Sequence, residues 1–126
     1  EPVGADSLSR SFRSGAPEVL DKVDTIADSL GAPMAMAESL ALARQYVDEL
    51  IQIEDSVMAR TMLLMRERLT LIAEPACAAS LGAALGPLRA RLRGKKAGVV
   101  ACGSNISMAR FDAFTADAEM PDAANS

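Results

Sequence analysis

Two short stretches of the chain hold the side chains that could do chemistry. The first is Cys102-Gly103-Ser104-Asn105, which follows the apolar run Lys96-Ala97-Gly98-Val99-Val100-Ala101. Gly103 lets the backbone turn closely, and Cys102 and Ser104 place short hydrogen-bonding side chains at that turn, an arrangement suited to a bound ring. The same residues also fit an ordinary strand-to-helix turn in which Asn105 or Ser107 caps the next helix. The second stretch is Glu74-Pro75, after Leu71-Ile72-Ala73. An acid at a helix start is favoured by the macrodipole; the functional alternative is a partly buried carboxylate facing a ligand. Cys77, three residues on, reads as a small buried hydrophobe. Alone, these groups make a weak catalyst. The chain has no histidine to activate a thiol or to build a triad or a common zinc site, and no glycine loop resembles a phosphate cradle.

The elements that would position these residues follow from periodicity. Leu8 and Phe12 lie four apart on one face of a first helix that ends at Gly15 and Pro17. Residues 16–34 carry scattered Gly and Pro and read as a long structured loop. A helix from Glu38 to Tyr46 precedes Val47-Asp48-Glu49-Leu50-Ile51-Gln52-Ile53, whose alternation predicts a strand. Asp55 or Ser56 is positioned to cap the next helix, which puts Met58, Met62, Met65 and Leu69 on one stripe as core filler and Arg60, Glu67 and Arg68 elsewhere. Pro75 suits a first helical turn, and an Ala-rich helix runs from it to about Leu85 before Gly86-Pro87. A short basic helix carrying Arg89, Arg91 and Arg93 ends at Gly94, where cations favour the last carbonyls. Residues 96–101 predict a buried parallel strand, and residues from about Thr115 predict a frayed tail.

Strands separated by helices indicate an α/β layer with parallel pairing. Two strands are too few to stand alone, so a segment outside the chain is expected to complete the sheet. At 126 residues, half of them hydrophobic, the chain fits one domain with a core. A net charge of −4 and three Phe with one Tyr exclude the basic, aromatic-studded surface that nucleic-acid binding uses. No apolar run nears the roughly 20 residues of a membrane span. Two cysteines make no disulfide framework, and Glu1-Pro2-Val3-Gly4 is polar and acidic, so a reducing cytoplasm is the expected setting.

Four segments, in order, resemble the PLP-dependent (pyridoxal 5'-phosphate) serine/threonine dehydratases and their serine racemase relatives: Glu1-Pro2-Val3-Gly4-Ala5-Asp6-Ser7, Thr25-Ile26-Ala27-Asp28, Glu74-Pro75 with its small residues, and Cys102-Gly103-Ser104-Asn105-Ile106-Ser107. The resemblance runs from residue 1 to about 114. It implies the C-terminal part of the large domain of a fold-type II PLP enzyme, parallel strands flanked by helices, with a sheet incomplete without the N-terminal half. It further implies that Cys102 faces the cofactor's pyridine nitrogen, that Gly103 and Ser104 line the same site, and that Glu74 stands near cofactor and substrate. A thiol cannot hold the ring nitrogen protonated as a carboxylate would, which suits β-elimination better than transamination. Cys at that position also resembles the catabolic members.

The implied reaction is deaminating β-elimination of a hydroxy amino acid to a 2-oxo acid and ammonia, with a lysine removing the α-proton. Lys22, Lys95 and Lys96 match no Schiff-base position, so that lysine and the phosphate loop are expected in an N-terminal half or companion chain, and this chain alone is expected to be inactive. A homodimer is the family expectation once complete. Some relatives hold a divalent cation through the opening segment; Glu1 and the Ala5 carbonyl match two ligands, but Ser7 replaces the expected acid, and no metal is expected. The other readings are an amino-acid racemase of the same family, a remnant that binds a ligand or partner without catalysis, and, more remotely, a thiol enzyme using Cys102.

Overall fold

The computed structural model describes residues 1–119. Its regular structure there is helical: α1 (Ser7–Ser14), α2 (Ala37–Tyr46), α3 (Asp55–Leu69), α4 (Pro75–Leu85), the single turn α5 (Arg89–Leu92) and α6 (Met108–Thr115), with 3-10 turns at Val3–Ala5 and Asp28–Leu30. The helices fall where periodicity, Pro75 and the Gly86-Pro87 break place them. Pro75 occupies the first turn of α4, where its missing N–H leaves no bond unmade.

The core lies between α3 and α4, and α6 closes it. Met58, Met62 and Met65 project from one side of α3 with essentially no exposure, and Phe111 of α6 is fully buried against Met62, Met65, Cys77 and Ala78. Burying side chains of this size is worth about 1.5–3 kcal/mol each. Leu69, expected on the same stripe, is 60% exposed at the end of α3, where the chain leaves through Thr70 in the left-handed region. A second cluster joins Ala27 and Ile53 to Met58 and Ala79. Gly82 lets the two helices meet closely: a Cβ there would lie 2.8 Å from Ile53 Cδ1 and 3.0 Å from Thr61 Oγ1.

Helix α1 buries serines rather than the predicted Leu8 and Phe12, which are only half-buried. Ser7 Oγ donates to the Ala32 carbonyl (2.9 Å), Ser9 Oγ to Glu1 Oε2 (2.5 Å) and Ser11 Oγ to the Ser7 carbonyl (2.7 Å). Each inward hydroxyl finds an acceptor, which removes the cost of burying it. Glu1 also accepts from the Leu8 and Ser9 amides, so its carboxylate caps α1.

Neither predicted strand forms a ladder among the described residues. Of residues 47–53 only the end is paired: Val3 N–H donates to the Ile53 carbonyl and Ile53 N–H to the Glu1 carbonyl, making one parallel bridge between Pro2 and Ile53. Residues 96–101, predicted to be buried, lie exposed with Val100 at 76%, and Ser80 Oγ holds the Val100 carbonyl at 3.0 Å. Strand bonds are made to a neighbour, and among the described residues the neighbour is only the short stretch Glu1-Pro2-Val3 beside Ile51-Gln52-Ile53, with none beside 96–101. The predicted cap of α3 is also different. Glu54 takes the cap position, and Asp55 begins the helix with its carboxylate turned to the preceding loop. Thr115, the predicted start of a tail, is buried at the end of α6, and Ala118 still packs on the core. Residues 120–126 lie outside the described residues.

Candidate functional site

A cleft of about 130 Å³ opens where four stretches of chain meet, lined among others by Ile26, Asp28, Ser29, Glu74, Asn105 and Arg110. Glu74 forms part of its wall. The residue has extended backbone just before Pro75, and its side chain makes no capping bond to α4. Its carbonyl accepts from Ala78 N–H and its own N–H donates to the Gly103 carbonyl at 3.2 Å. The helix start is therefore tied by backbone to the turn after residues 96–101, and the carboxylate is directed toward the cleft.

Gly103 makes that approach possible. Its φ of +115° lies where L-residues are strained, and an added Cβ would sit 2.5 Å from Glu74 Oε1 and 2.8 Å from its carboxyl carbon. The carboxylate thus packs on a bare α-carbon. Ser29 Oγ donates to the same Oε1 at 3.0 Å.

Ser29 is held by a loop that α3 anchors. Asp55 accepts from Thr25 Oγ1 (2.6 Å) and from Ile26 N–H (2.8 Å), while Thr25 Oγ1 accepts from Ala27 N–H. These bonds fix the residues leading into the 3-10 turn at Asp28–Leu30. On the far side, Ser107 caps α6 by accepting from Arg110 N–H. Arg110 then reaches Asp28 Oδ2 at 2.8 Å with its guanidinium 5.1 Å from the centre of the Phe114 ring. That pair is half-exposed, so its charge attraction is worth about 0–1 kcal/mol, and it serves chiefly to set the cleft's mouth.

Of the sequence-predicted residues, Glu74 and Gly103 are in contact. Cys102 and Ser104 flank Gly103 on the exposed surface, and the Ser104 carbonyl closes the turn by accepting from Ile106 N–H at 2.8 Å. Asp28 stands at the cleft mouth. Cys77 lies buried behind Glu74; burial pushes its thiol pKa up, and the neighbouring Glu74 and Cys102 add to the shift. It is the inert hydrophobe its position predicted. Ser29, Asp55 and Arg110 were not singled out as site residues. Ser29 directly follows Thr25-Ile26-Ala27-Asp28, the one local signal pointing to it, whereas nothing in the sequence links Arg110 to a partner 82 residues away.

Cys102, Gly103 and Ser104 do not themselves line the cleft; from that turn it takes Asn105 and Ile106, with the carboxylates of Glu74 and Asp28 on its wall. The Glu1 and Ser7 side chains each have partners within the fold. The Glu1 carboxylate is committed to α1 and the Ser7 hydroxyl to Ala32, and among the described residues no cluster of three or more acidic or cysteine side chains could hold a metal. No helix among them is long and apolar enough to cross a membrane.

Comparison with known proteins adds to this geometry. Residues 1–103 match the family model described as pyridoxal-phosphate dependent enzyme. A phenylserine dehydratase from Ralstonia pickettii is 42% identical over 111 residues, covering 88% of this chain and 34% of that protein. The structure of maize serine racemase superposes with a TM-score of 0.79 at 30% identity, covering 86% of this chain and 35% of that one. The processed form of threonine deaminase isoform 2 from Solanum lycopersicum, at 21% identity, shares the fold with a TM-score of 0.82 over 92% of this chain and 34% of that one. The chain spans about a third of the length of the curated relatives it matches.

Proposed function

Because this chain belongs to the pyridoxal-phosphate dependent enzyme family, we propose that it supplies the cofactor-ring wall of an ammonia-lyase acting on a hydroxy amino acid. The observation that carries the reading is the Glu74 carboxylate held against the Gly103 turn, with Cys102 next to it. Cys102, Gly103 and Ser104 would border the cofactor's ring, with the Cys102 thiol toward the ring nitrogen. Glu74 would orient hydrogen-bonding groups of cofactor and substrate. When bound, pyridoxal phosphate supplies the electron sink that makes loss of an α-proton and a β-hydroxyl feasible. The net change converts a 3-hydroxy-2-amino acid to a 2-oxo acid and ammonia, the water lost in elimination being regained in hydrolysis.

The base is a lysine carried by a preceding segment of the fold, in the same or a companion polypeptide, so this chain alone has no turnover. The completed enzyme is a homodimer, and with Cys77 and Cys102 both free thiols its setting is a reducing cytoplasm. The 42% identity to a phenylserine dehydratase favours an aryl-substituted hydroxy amino acid as the first substrate to try. Likeness to a serine racemase keeps amino-acid racemisation as the second reading, since both reactions begin with the same proton removal.

Native mass spectrometry of the purified protein, followed by a denatured spectrum, is the test. The expected result is a lysine-bearing segment with the cofactor's mass, accompanied by 2-oxo acid release from phenylserine, threonine or serine. D-amino acid formation without 2-oxo acid would select the racemase reading. A cofactor-bearing protein that transforms no hydroxy amino acid would sink the proposal.

A further inference from the structure

Glu74 is held from two directions, and only one of them is a hydrogen-bonding side chain. Gly103 offers a bare α-carbon against which the carboxylate packs, and that contact limits how close Oε1 can come without choosing its rotation. Ser29 Oγ, 3.0 Å from Oε1, does choose it. The serine is itself fixed from elsewhere. It lies at the centre of the 3-10 turn Asp28–Leu30. The residues leading into that turn are pinned to α3 through Asp55, by bonds of 2.6 Å from Thr25 and 2.8 Å from Ile26. Gly31 N–H closes the turn on the Asp28 carbonyl at 3.0 Å. A continuous series of short contacts therefore runs from the start of α3, through the 25–30 loop, to one oxygen of Glu74.

We infer that Ser29 is the positioning residue for Glu74, acting as a hydroxyl clamp that selects one rotation of its carboxylate. This rests on the reading that Glu74 faces cofactor and substrate. Hydroxyl-to-carboxylate bonds are among the stronger protein hydrogen bonds, and a free Glu side chain has three rotatable bonds to restrain. Threonine retains the hydroxyl and alanine does not, so the two substitutions separate hydrogen bonding from shape. Ser29 is a surface residue of a short turn with no part in the α3–α4 core, so its replacement by alanine leaves folding intact.

The test uses the complete, cofactor-loaded protein carrying Ser29→Ala, Ser29→Thr, Glu74→Gln, and Ser29→Ala combined with Glu74→Gln. Ser29→Ala is expected to lower kcat about threefold to tenfold, the range a single net hydrogen bond spans, with a smaller change in KM and a shifted cofactor absorption band. Ser29→Thr restores both. In the Glu74→Gln background, Ser29→Ala adds little, because the carboxylate it orients is gone. A readout independent of turnover comes from thermal unfolding of the same four proteins without cofactor. There Ser29→Ala lowers the midpoint when Glu74 is present and less when it is Gln. Effects that multiply freely between the two sites, or a Ser29→Ala protein with unchanged spectrum and kcat, overturn the clamp while leaving Glu74 in the site. A Glu74→Gln protein that is itself unchanged in spectrum and turnover removes Glu74 from the site and the clamp with it.

Discussion

At the scale of single residues, the two cysteines make opposite predictions. Cys102 is exposed and Cys77 buried, with the Cys77 thiol held above its ordinary range chiefly by burial. Iodoacetamide at mildly alkaline pH should alkylate Cys102 and spare Cys77 until denaturant is added; equal rates, read by mass spectrometry, would contradict the burial. The linkage has a definite sign. A thiol whose pKa rises on folding stabilises the fold below the ordinary thiol range, and that contribution is lost as pH climbs through it, so unfolding should become easier in alkali and not near neutrality. In the completed enzyme, Cys102→Asp should perturb the cofactor spectrum and lower elimination; an unchanged spectrum and turnover would take Cys102 out of the site. Gly103→Ala should act through Glu74, since the new methyl falls 2.5 Å from its Oε1 at a strained φ. Cofactor affinity, followed by absorbance titration, is expected to fall at least about tenfold as the backbone or carboxylate yields.

Elements show why part of this was legible in the sequence and part was not. Pro75, the Gly86-Pro87 break and the Ser107 cap are local signals, because each acts within one helical turn, and α4 and α6 begin where these residues indicate. Glu74 and Gly103 stood out by residue type and by their place at element ends. Asp55 did not, because a carboxylate at a helix start looks the same whether it caps its own helix or anchors a loop 30 residues back. Buried Ser7 and Ser9 on α1 defeat an apolar-face reading for a similar reason: their acceptors, Ala32 and Glu1, come from outside the helix. The contact of α3 with α4 carries its own prediction. Gly82→Ala gains up to about 1 kcal/mol of helix propensity but presses on Ile53 and on a Thr61 hydroxyl already bonded to the Val57 carbonyl. Overpacking of this kind costs about 1–3 kcal/mol, so the variant should melt a few degrees lower. A higher melting temperature would mean the two helices can separate at little cost.

For the whole molecule, the informative feature is what the α3–α4–α6 core leaves outside. Residues 96–101 carry Val99 and Val100 at 39% and 76% exposure, an arrangement stable only if those backbone groups stay with water or find a neighbouring strand. Hydrogen exchange on the purified chain should therefore be fast across 96–101 and slow across α3 and α4. In a protein holding the lysine-bearing segment the same amides should slow sharply, and continued fast exchange there would mean that no strand joins them.

The cleft draws on residues near 26, 74, 105 and 110, and its outermost tie, Asp28 to Arg110, spans 82 positions. On a ribosome adding about 5–20 residues each second, Asp28 precedes Arg110 by roughly 4–16 s. Within that interval the loop gains first its tie to Asp55 and then its tie to Glu74, and the mouth stays open on one side. A nascent chain stalled before α6 would present Ile26 and Ala76 to whatever is nearby, which makes the arrival of Arg110 and Phe114 the moment in synthesis at which this surface stops being a hazard to its neighbours.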